Sequence, residues 1–304
     1  MRRRTRVRYE FRRIDNRKPL WKGGQRRGSG CKVGGQYLSR ISATFTALNG
    51  RPAYIPYICA GDPDEEFSLS LAKRLCDSGA DILEIGIPFS DPIADGPVIQ
   101  EAMQRSLKSG FHVGDVFRLI ERLRSQSVPQ PVVAMTYYNP ILKMGPDKFC
   151  RSLSECGGDA LLVVDLPPEE SSSLLGMARD NELDMIRLVA PSTTDARLEY
   201  ILSEASGFVY VVSVAGTTGE RESLPESAIS LIHRVSGKSR LPVALGFGIS
   251  MPEHVRQAIS AGASAVVEGS KLITLYSGLL DDRMKALESV ERHAREMMAA
   301  SFPH

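Results

Sequence analysis

A chain of 304 residues is long enough for one large domain or two small ones, and its 42% apolar and 24% charged residues are typical of a globular protein. The net charge of +2 hides an asymmetry: residues 1–34 hold 13 basic and two acidic residues, a net of +11, and the rest holds 25 basic and 34 acidic residues, a net of −9. The acidic body argues against a nucleic-acid-binding surface, and no apolar run reaches the length of a transmembrane helix.

The cysteines and histidines form no pattern that indicates crosslinks or a metal site. An odd number of cysteines without a C-x-x-C pair argues against a disulfide framework and favours a reducing compartment, for which we expect the cytoplasm. The histidines show no metal-ligand spacing, so we expect no metal. The N-terminus also lacks the apolar core of a secretory signal.

The first 36 residues are basic, contain Gly-Gly and Gly-Ser-Gly, and show no hydrophobic period, which predicts a disordered extension before one domain at 37–304. Three origins are open: an arm that binds nucleic acid, an Arg-rich presequence for an organelle, or upstream sequence before a true start near Leu38. We favour the third because the globular pattern begins near Leu38. The next methionine, Met103, lies inside the fold, so such a start would need a non-standard codon.

Short β-rich runs alternate with amphipathic stretches through the rest of the chain. Eight strands, each followed by a helix, predict a single α/β domain, a (β/α)8 TIM barrel, with an open doubly wound sheet as the alternative. The two longest connections, 88–110 and 214–224, are expected to be loops at the carboxyl ends of the strands. The predicted strands are 54–59, 82–87, 131–136, 160–164, 185–189, 208–212, 242–245 and 265–267, and the predicted helices are 65–78, 113–125, 146–156, 169–181, 196–205, 226–235, 252–261, 271–275 and 283–299.

Residues 83–96, LEIGIPFSDPIADG, place two carboxylates on and just after the second strand. Strand alternation turns Glu84 away from the Leu and Ile face that suits the helix layer, so we expect it to point into the barrel near its functional rim. A buried carboxylate needs a partner or a use, and Arg187 is the one cation we find on a neighbouring strand. Asp95 is the second candidate, with N-capping of the helix after Gly96 as its structural alternative.

Glycines follow the seventh and eighth predicted strands, where TIM barrels commonly bind phosphate. Gly248 lies in the GFGIS segment, and Gly269 and Ser270 open a short helix, so backbone N–H groups and a helix dipole can meet an anion there. The polar loop 215–223 is typical either of a mobile lid or of an ordinary exposed loop. Tyr210 on the sixth strand is either a core tyrosine or a rim hydroxyl for a substrate.

The segment 83–96 resembles the signature of the tryptophan synthase alpha chain family position by position, and the likeness runs from about Leu38 to the last helix. The lid departs from the family pattern in two ways: Thr217 stands where Val is usual, and the segment 219–224 is short by a residue or two. Other matching segments are Gly61-Asp62-Pro63, Pro97-x-Ile99-Gln100, Tyr137-x-Asn139, Asp165-Leu166-Pro167-x-Glu169-Glu170, Ser213-x-x-Gly216-x-Thr218-Gly219, Gly246-Phe247-Gly248-Ile249-Ser250 and Gly269-Ser270.

The resemblance implies a lyase of tryptophan biosynthesis that cleaves indole-3-glycerol phosphate to indole and glyceraldehyde 3-phosphate without a metal or cofactor of its own. It implies a partner, the tryptophan synthase beta chain, which would carry pyridoxal phosphate in an α2β2 heterotetramer. Glu84 would be the general acid–base and Asp95 would hydrogen-bond the indole N–H. The remaining implied site residues are Tyr57, Met135, Tyr137, Tyr210 and Phe247 for the substrate, Gly219, Gly248, Gly269 and Ser270 for its phosphate, and Pro88 and Asp91 for the beta chain.

Two other functions are open at this point. Another sugar-phosphate barrel, such as an isomerase or epimerase, would exchange protons on its substrate without breaking a carbon–carbon bond. A weakly catalytic chain whose main task is to activate a beta chain would share the surface of the family but little of its turnover.

Overall fold

The computed structural model describes residues 31–33, 36–212, 223–246 and 248–302. Eight parallel strands, β3 to β10, form a closed barrel in which β10 pairs with both β9 and β3, so the predicted TIM barrel is confirmed and the open sheet is excluded. Each observed strand begins and ends within one residue of its prediction. The barrel strands are β3 (Ala53–Cys59), β4 (Leu83–Gly86), β5 (Val132–Thr136), β6 (Ala160–Val163), β7 (Asp184–Val189), β8 (Val209–Val212), β9 (Val243–Gly246) and β10 (Ala265–Glu268).

Helices cover the outside of the barrel, and most begin where their capping signals predict. α2 starts after Asp64, whose side chain accepts the N–H of Phe67 at 2.9 Å, and α10 carries a proline in its first turn. The helices are α1 (Arg40–Leu48), α2 (Glu65–Asp77), α3 (Pro97–Lys108), α4 (Val113–Ser125), α5 (Tyr138–Met144), α6 (Pro146–Glu155), α7 (Ser172–Asp180), α8 (Asp195–Glu204), α9 (Glu226–Ser236), α10 (Pro252–Ser260), α11 (Ser270–Ser277) and α12 (Arg283–Ala299), with a 3₁₀ turn at Pro168–Glu170.

The structure differs from the predictions in three helical segments. α3 fills half of the connection expected to be loop, although its start at Pro97 was expected. α5 is a short helix directly after β5 and had no clear periodic signal. α1 precedes the barrel and packs Ile41 and Phe45 against it, with the Phe45 and Phe208 ring centroids 6.2 Å apart. Short helices carry too few turns for a hydrophobic period to stand out.

Two short antiparallel strands, β1 (Cys31–Val33) and β2 (Gln36–Leu38), lie at the end of the segment predicted to be disordered. Regular secondary structure therefore begins at Cys31, six residues before the predicted start of the domain at residue 37. Three-residue strands have no period to detect, which is why the sequence did not indicate them. Residues 1–30 lie outside the described part of the chain, so their predicted disorder and their possible origins stay predictions.

The register of the barrel decides which side chains enter it. Glu84 is the Cα partner of Tyr57 on β3 and of Val133 on β5, and these three positions face inward. Arg187 on β7 is paired with Val209 and points the other way, where its Nη2 donates to the hydroxyl of Ser171 at the start of α7. The one candidate cation from the sequence therefore bonds to Ser171 of the helix layer, borders the cavity described below, and does not neutralise Glu84.

An ion pair between a half-buried arginine and a buried carboxylate holds the rim segments together above β3. Arg105 of α3 donates from Nε and Nη2 to the two carboxylate oxygens of Asp62, both at 2.8 Å, and the hydroxyl of Tyr276 on α11 donates to the same carboxylate. Asp62 is fully buried. This cluster ties the helix that follows the Asp95 loop to the helix that follows β10, and so positions both ends of the cavity described below.

Within the part of the chain that the structure describes, no helix is both long enough and apolar enough to cross a bilayer.

Candidate active site

A cavity of about 1160 Å³ opens at the carboxyl ends of the barrel strands. It lies on the functional face expected for a TIM barrel. Its wall brings together residues from seven strands and the loops that follow them, over more than 200 positions of sequence. The predicted site residues that line it are Tyr57, Glu84, Asp95, Met135, Tyr210, Gly248, Gly269 and Ser270.

Glu84 is a buried carboxyl group with no countercharge among the residues that the structure describes. Its side chain is 1% exposed, and Oε2 has no hydrogen-bond partner among the described residues. Burial, and secondly the negative charge of Asp95, raises the pKa of Glu84 from 4.5 to about 8. The group therefore holds its proton at neutral pH and can release it within the range where general acids and bases work best.

Asp95 is held by a tyrosine and not by a helix. The hydroxyl of Tyr137 donates to Oδ2 of Asp95 at 2.6 Å and accepts the N–H of Ala94 at 3.0 Å. Oδ1 is buried and has no partner within the described chain. Gly96, not Asp95, is the N-cap of α3, and no described side chain makes a capping hydrogen bond there, so the capping interpretation of Asp95 is wrong. Burial raises the pKa of Asp95, and the Tyr137 hydrogen bond opposes that rise.

Two inward tyrosines each lie over a glycine on the next strand. A Cβ atom on Gly86 would come 2.1 Å from the hydroxyl oxygen of Tyr57, and a Cβ on Gly246 would come 2.1 Å from that of Tyr210. Since real contacts of that length do not occur, both positions need glycine for the tyrosines to adopt these orientations. Tyr57 lies on the strand next to that of Glu84, and Tyr210 lies on β8, across the barrel from Glu84.

The other end of the cavity has the properties of an anion site. Gly248 has φ +79° and open space where a Cβ would be, and it lies in the loop after β9. α11 begins at Ser270 with Gly269 as its N-cap, and a glycine contributes no capping side chain to the N–H groups of the first turn. A Cβ on Gly269 would lie 3.2 Å from the ring of Tyr57, which favours glycine there too.

Two of the predicted site residues occupy places other than those expected. Tyr137 does not border the cavity, because its ring is buried behind Asp95 and its hydroxyl is used to hold that carboxylate. Pro88 is buried and offers no surface to a partner, whereas Asp91 is exposed. Gly219, Phe247 and the lid position Thr217 lie outside the described residues.

The sequence analysis did not identify Ile93. It also did not identify that Gly86 and Gly246 leave room for the side chains of Tyr57 and Tyr210. Ile93 is 86% exposed on the loop after β4, next to Asp91, and only its apolar character within a polar loop could have drawn attention to it. The tyrosine–glycine pairs had a weak signal, since each glycine ends a strand beside a strand that carries an inward tyrosine. Across the described residues, no group of three or more His, Cys, Asp or Glu could hold a metal ion.

Known proteins resemble this chain over most of its length. The profile of the family described as tryptophan synthase alpha chain matches residues 45–302. The tryptophan synthase alpha chain of Methanothermobacter thermautotrophicus is 46% identical over 248 residues, 82% of this chain and 92% of that protein. That of Carboxydothermus hydrogenoformans is 43% identical over 269 residues, 87% of this chain and all of that protein.

Solved structures agree with the sequence comparison. Tryptophan synthase subunit alpha from Legionella pneumophila matches with a TM-score of 0.80 at 36% identity, over 86% of this chain and 98% of that one. A chain from the tryptophan synthase α2β2 complex of Pyrococcus furiosus matches with a TM-score of 0.77 at 41% identity, over 81% of this chain and 98% of that one.

Proposed function

The chain belongs to the tryptophan synthase alpha chain family of lyases, and on that premise we propose that its cavity cleaves indole-3-glycerol phosphate by a retro-aldol reaction to indole and glyceraldehyde 3-phosphate. The observation that carries this proposal is Glu84, a buried carboxyl group on the cavity wall whose pKa is raised to about 8. A carboxyl group in that state can both donate and accept a proton within one turnover.

Glu84 supplies both proton transfers in the proposed reaction. As the acid, it protonates the ring carbon that carries the glycerol chain and becomes a carboxylate. As the base, it then removes the proton of the adjacent glycerol hydroxyl, the carbon–carbon bond breaks, and its electron pair restores the aromatic ring while the hydroxyl carbon becomes an aldehyde. The proton balance closes, because Glu84 ends the turnover protonated as it began.

Asp95 stabilises the intermediate in which the ring nitrogen carries positive charge. Its Oδ1 is buried without a partner in the described chain, and an indole N–H is a donor that could satisfy it. Tyr137 holds the other oxygen, so the carboxylate is oriented before the substrate arrives. Preorganised charge of this kind is usually a large part of catalysis.

The indole ring and the phosphate of the substrate are proposed to bind to two other parts of the cavity wall. Met135, Tyr57 and Tyr210 form an apolar surface for the indole ring, and Phe247 is proposed to complete it. The phosphate is proposed to bind the backbone around Gly248 and the first turn of α11 at Gly269 and Ser270, with Gly219 from the lid. Burial of indole stabilises the complex through the hydrophobic effect, and the phosphate gives it one orientation.

A beta chain is the proposed partner, on the surface formed by Asp91 and Ile93. The match to a chain of the Pyrococcus furiosus complex supports it, and Ile93, which is 86% exposed, offers apolar area that a partner can cover. In that assembly the partner would hold pyridoxal phosphate, and this chain would need no cofactor. We also propose a cytoplasmic location and a catalytic domain at 37–304 that is independent of the basic extension.

Indole release tests the proposal directly. Wild-type chain and the variants Glu84→Gln and Asp95→Asn are assayed with indole-3-glycerol phosphate, with and without a beta chain. Glu155→Gln, at an exposed position at the end of α6, is the matched control. We expect indole from the wild type and the control, an increase with the beta chain, and a loss of about a hundredfold or more in both site variants. Proton exchange without indole would favour an isomerase, and activation of the beta chain without lysis would favour an activator.

A further inference from the structure

Two buried polar atoms on neighbouring strands lack partners. The hydroxyl of Tyr57 on β3 and Oε2 of Glu84 on β4 are both inaccessible to water, and neither makes a hydrogen bond to any described residue. The two residues are Cα partners in the register, and both side chains line the cavity. Buried polar atoms in folded proteins are nearly always hydrogen-bonded, so a pair left open at one place calls for an explanation.

The barrel is shaped to keep the Tyr57 hydroxyl at this position. Gly86 leaves the space that its oxygen occupies, since a Cβ there would be 2.1 Å away. Gly269 leaves room for the ring, where a Cβ would be 3.2 Å from Cδ1. A phenylalanine would fill the same apolar volume, so packing alone does not account for the hydroxyl group.

The side chains around Glu84 include one carboxylate, two tyrosines and no cationic partner among the described residues. Asp95, from the following loop, is negative and disfavours ionisation, and Val133 on β5 is apolar. Tyr210 is on β8, across the barrel, with its hydroxyl over Gly246. Within the described chain Glu84 has no cationic partner, because Arg187 points to Ser171 in the helix layer. Tyr57 is thus the hydroxyl on the adjacent strand with an unused proton.

We propose that Tyr57 is a positioning residue whose hydroxyl donates a hydrogen bond to Oε2 of Glu84 while Glu84 is a carboxylate. The two atoms make no hydrogen bond in this structure, and the proposed bond forms when Glu84 loses its proton. The bond would stabilise the carboxylate and aim its other oxygen at the glycerol hydroxyl. This inference rests on the proposed acid–base role of Glu84.

Tyr57 keeps its own proton throughout. Burial raises the pKa of Tyr57 well above its usual value of 10, and the negative groups around it, Asp95 and Glu84 among them, raise it further. The residue is therefore a neutral donor and not a second acid. No net proton transfer through Tyr57 is needed, so the proton balance of the reaction is unchanged.

The pH dependence of kcat/KM for indole release by the whole chain tests the proposal. Because Glu84 acts first as an acid, kcat/KM falls as the pH rises through its pKa. Tyr57→Phe removes the donor to the carboxylate, so the pKa of Glu84 rises and this alkaline limb moves up by about one pH unit. Tyr54→Phe is the matched control, because Tyr54 lies on the same strand but its hydroxyl donates to Glu268 on the outer face of the barrel, at 2.6 Å. The control should leave the limb unmoved.

A second variant tests the same proposal if Tyr57→Phe folds poorly. Replacing Tyr57 by 3-fluorotyrosine preserves the shape and strengthens the donor, so the same limb should move to lower pH. An unmoved limb in either active variant overturns the positioning role, as does an equal shift in Tyr54→Phe. Failure of the proposed function looks different: the wild type would release no indole, or Glu84→Gln would retain activity.

Discussion

Replacing Glu84 by Gln should remove a loss of stability that the wild type shows with rising pH, and it should also abolish indole release. The side chain is 1% exposed and its pKa is about 8, against the ordinary 4.5 that it regains when the chain unfolds. Between these two values the folded protein binds a proton that the unfolded chain has lost. The free energy of unfolding therefore falls with rising pH.

The magnitude follows from the same two pKa values. The favourable contribution is fully present below about pH 4.5 and is lost as the pH rises through about 8. The whole difference between the two pKa values corresponds to about 5 kcal/mol of unfolding free energy. About 3 kcal/mol of this is lost between pH 5 and pH 8. Gln has no proton to lose, so Glu84→Gln lacks this loss of stability with rising pH, whatever constant effect its amide has.

Equilibrium urea unfolding of wild type and Glu84→Gln at several pH values between 5 and 8 measures the effect. The other titrating groups are common to both proteins and cancel in the difference. We expect the stability of the variant relative to the wild type to increase by about 3 kcal/mol over this range, while indole release is lost.

Glu155→Gln controls for the general effect of replacing a glutamate, because that residue is exposed and distant from the cavity. A stability difference between Glu84→Gln and wild type that stays constant from pH 5 to pH 8 would refute the reasoning. Such a result would mean that Glu84 is already charged in the folded protein, and the acid step assigned to it would have no proton to give.

Three other substitutions test separate parts of the site. Asp95→Asn should lower kcat for indole release by about a hundredfold or more with an unchanged urea midpoint, since its side chain caps no helix; a loss of stability alone would contradict this. Gly246→Ala should displace Tyr210 and destabilise the fold by about 1–3 kcal/mol in urea unfolding, whereas Gly114→Ala, in open space, should not; equal stabilities would contradict the close contact. Asp62→Ala should cost about 3 kcal/mol by the same measurement, because it leaves the Arg105 guanidinium without its buried partner, and a cost below about 1 kcal/mol would show that the pair is dispensable.

The barrel and the inward direction of Glu84 could both be predicted from the sequence. Alternating strands and helices specify a closed parallel sheet, and the period of two along β4 separates Glu84 from the Leu and Ile that face the helices. The glycines after β9 and β10 were predicted in their places for the same reason. These features depend on residues close together in the chain, where periodicity and turn chemistry are readable.

The contacts of the polar groups could be established only from the folded barrel. Asp95 was left between helix cap and functional acid, and its bond to Tyr137, 42 residues away, resolved that choice against the cap. Arg187 was the candidate partner of Glu84, but the strand register directs its side chain to Ser171. The sequence suggested Tyr57 only as a substrate-binding residue, and the proposed role of its hydroxyl depends on the position of that group over Gly86. Hydrogen bonds form over about 3 Å and with defined angles, so they depend on strand stagger and ring orientation, which closure of the whole barrel sets and no local pattern records.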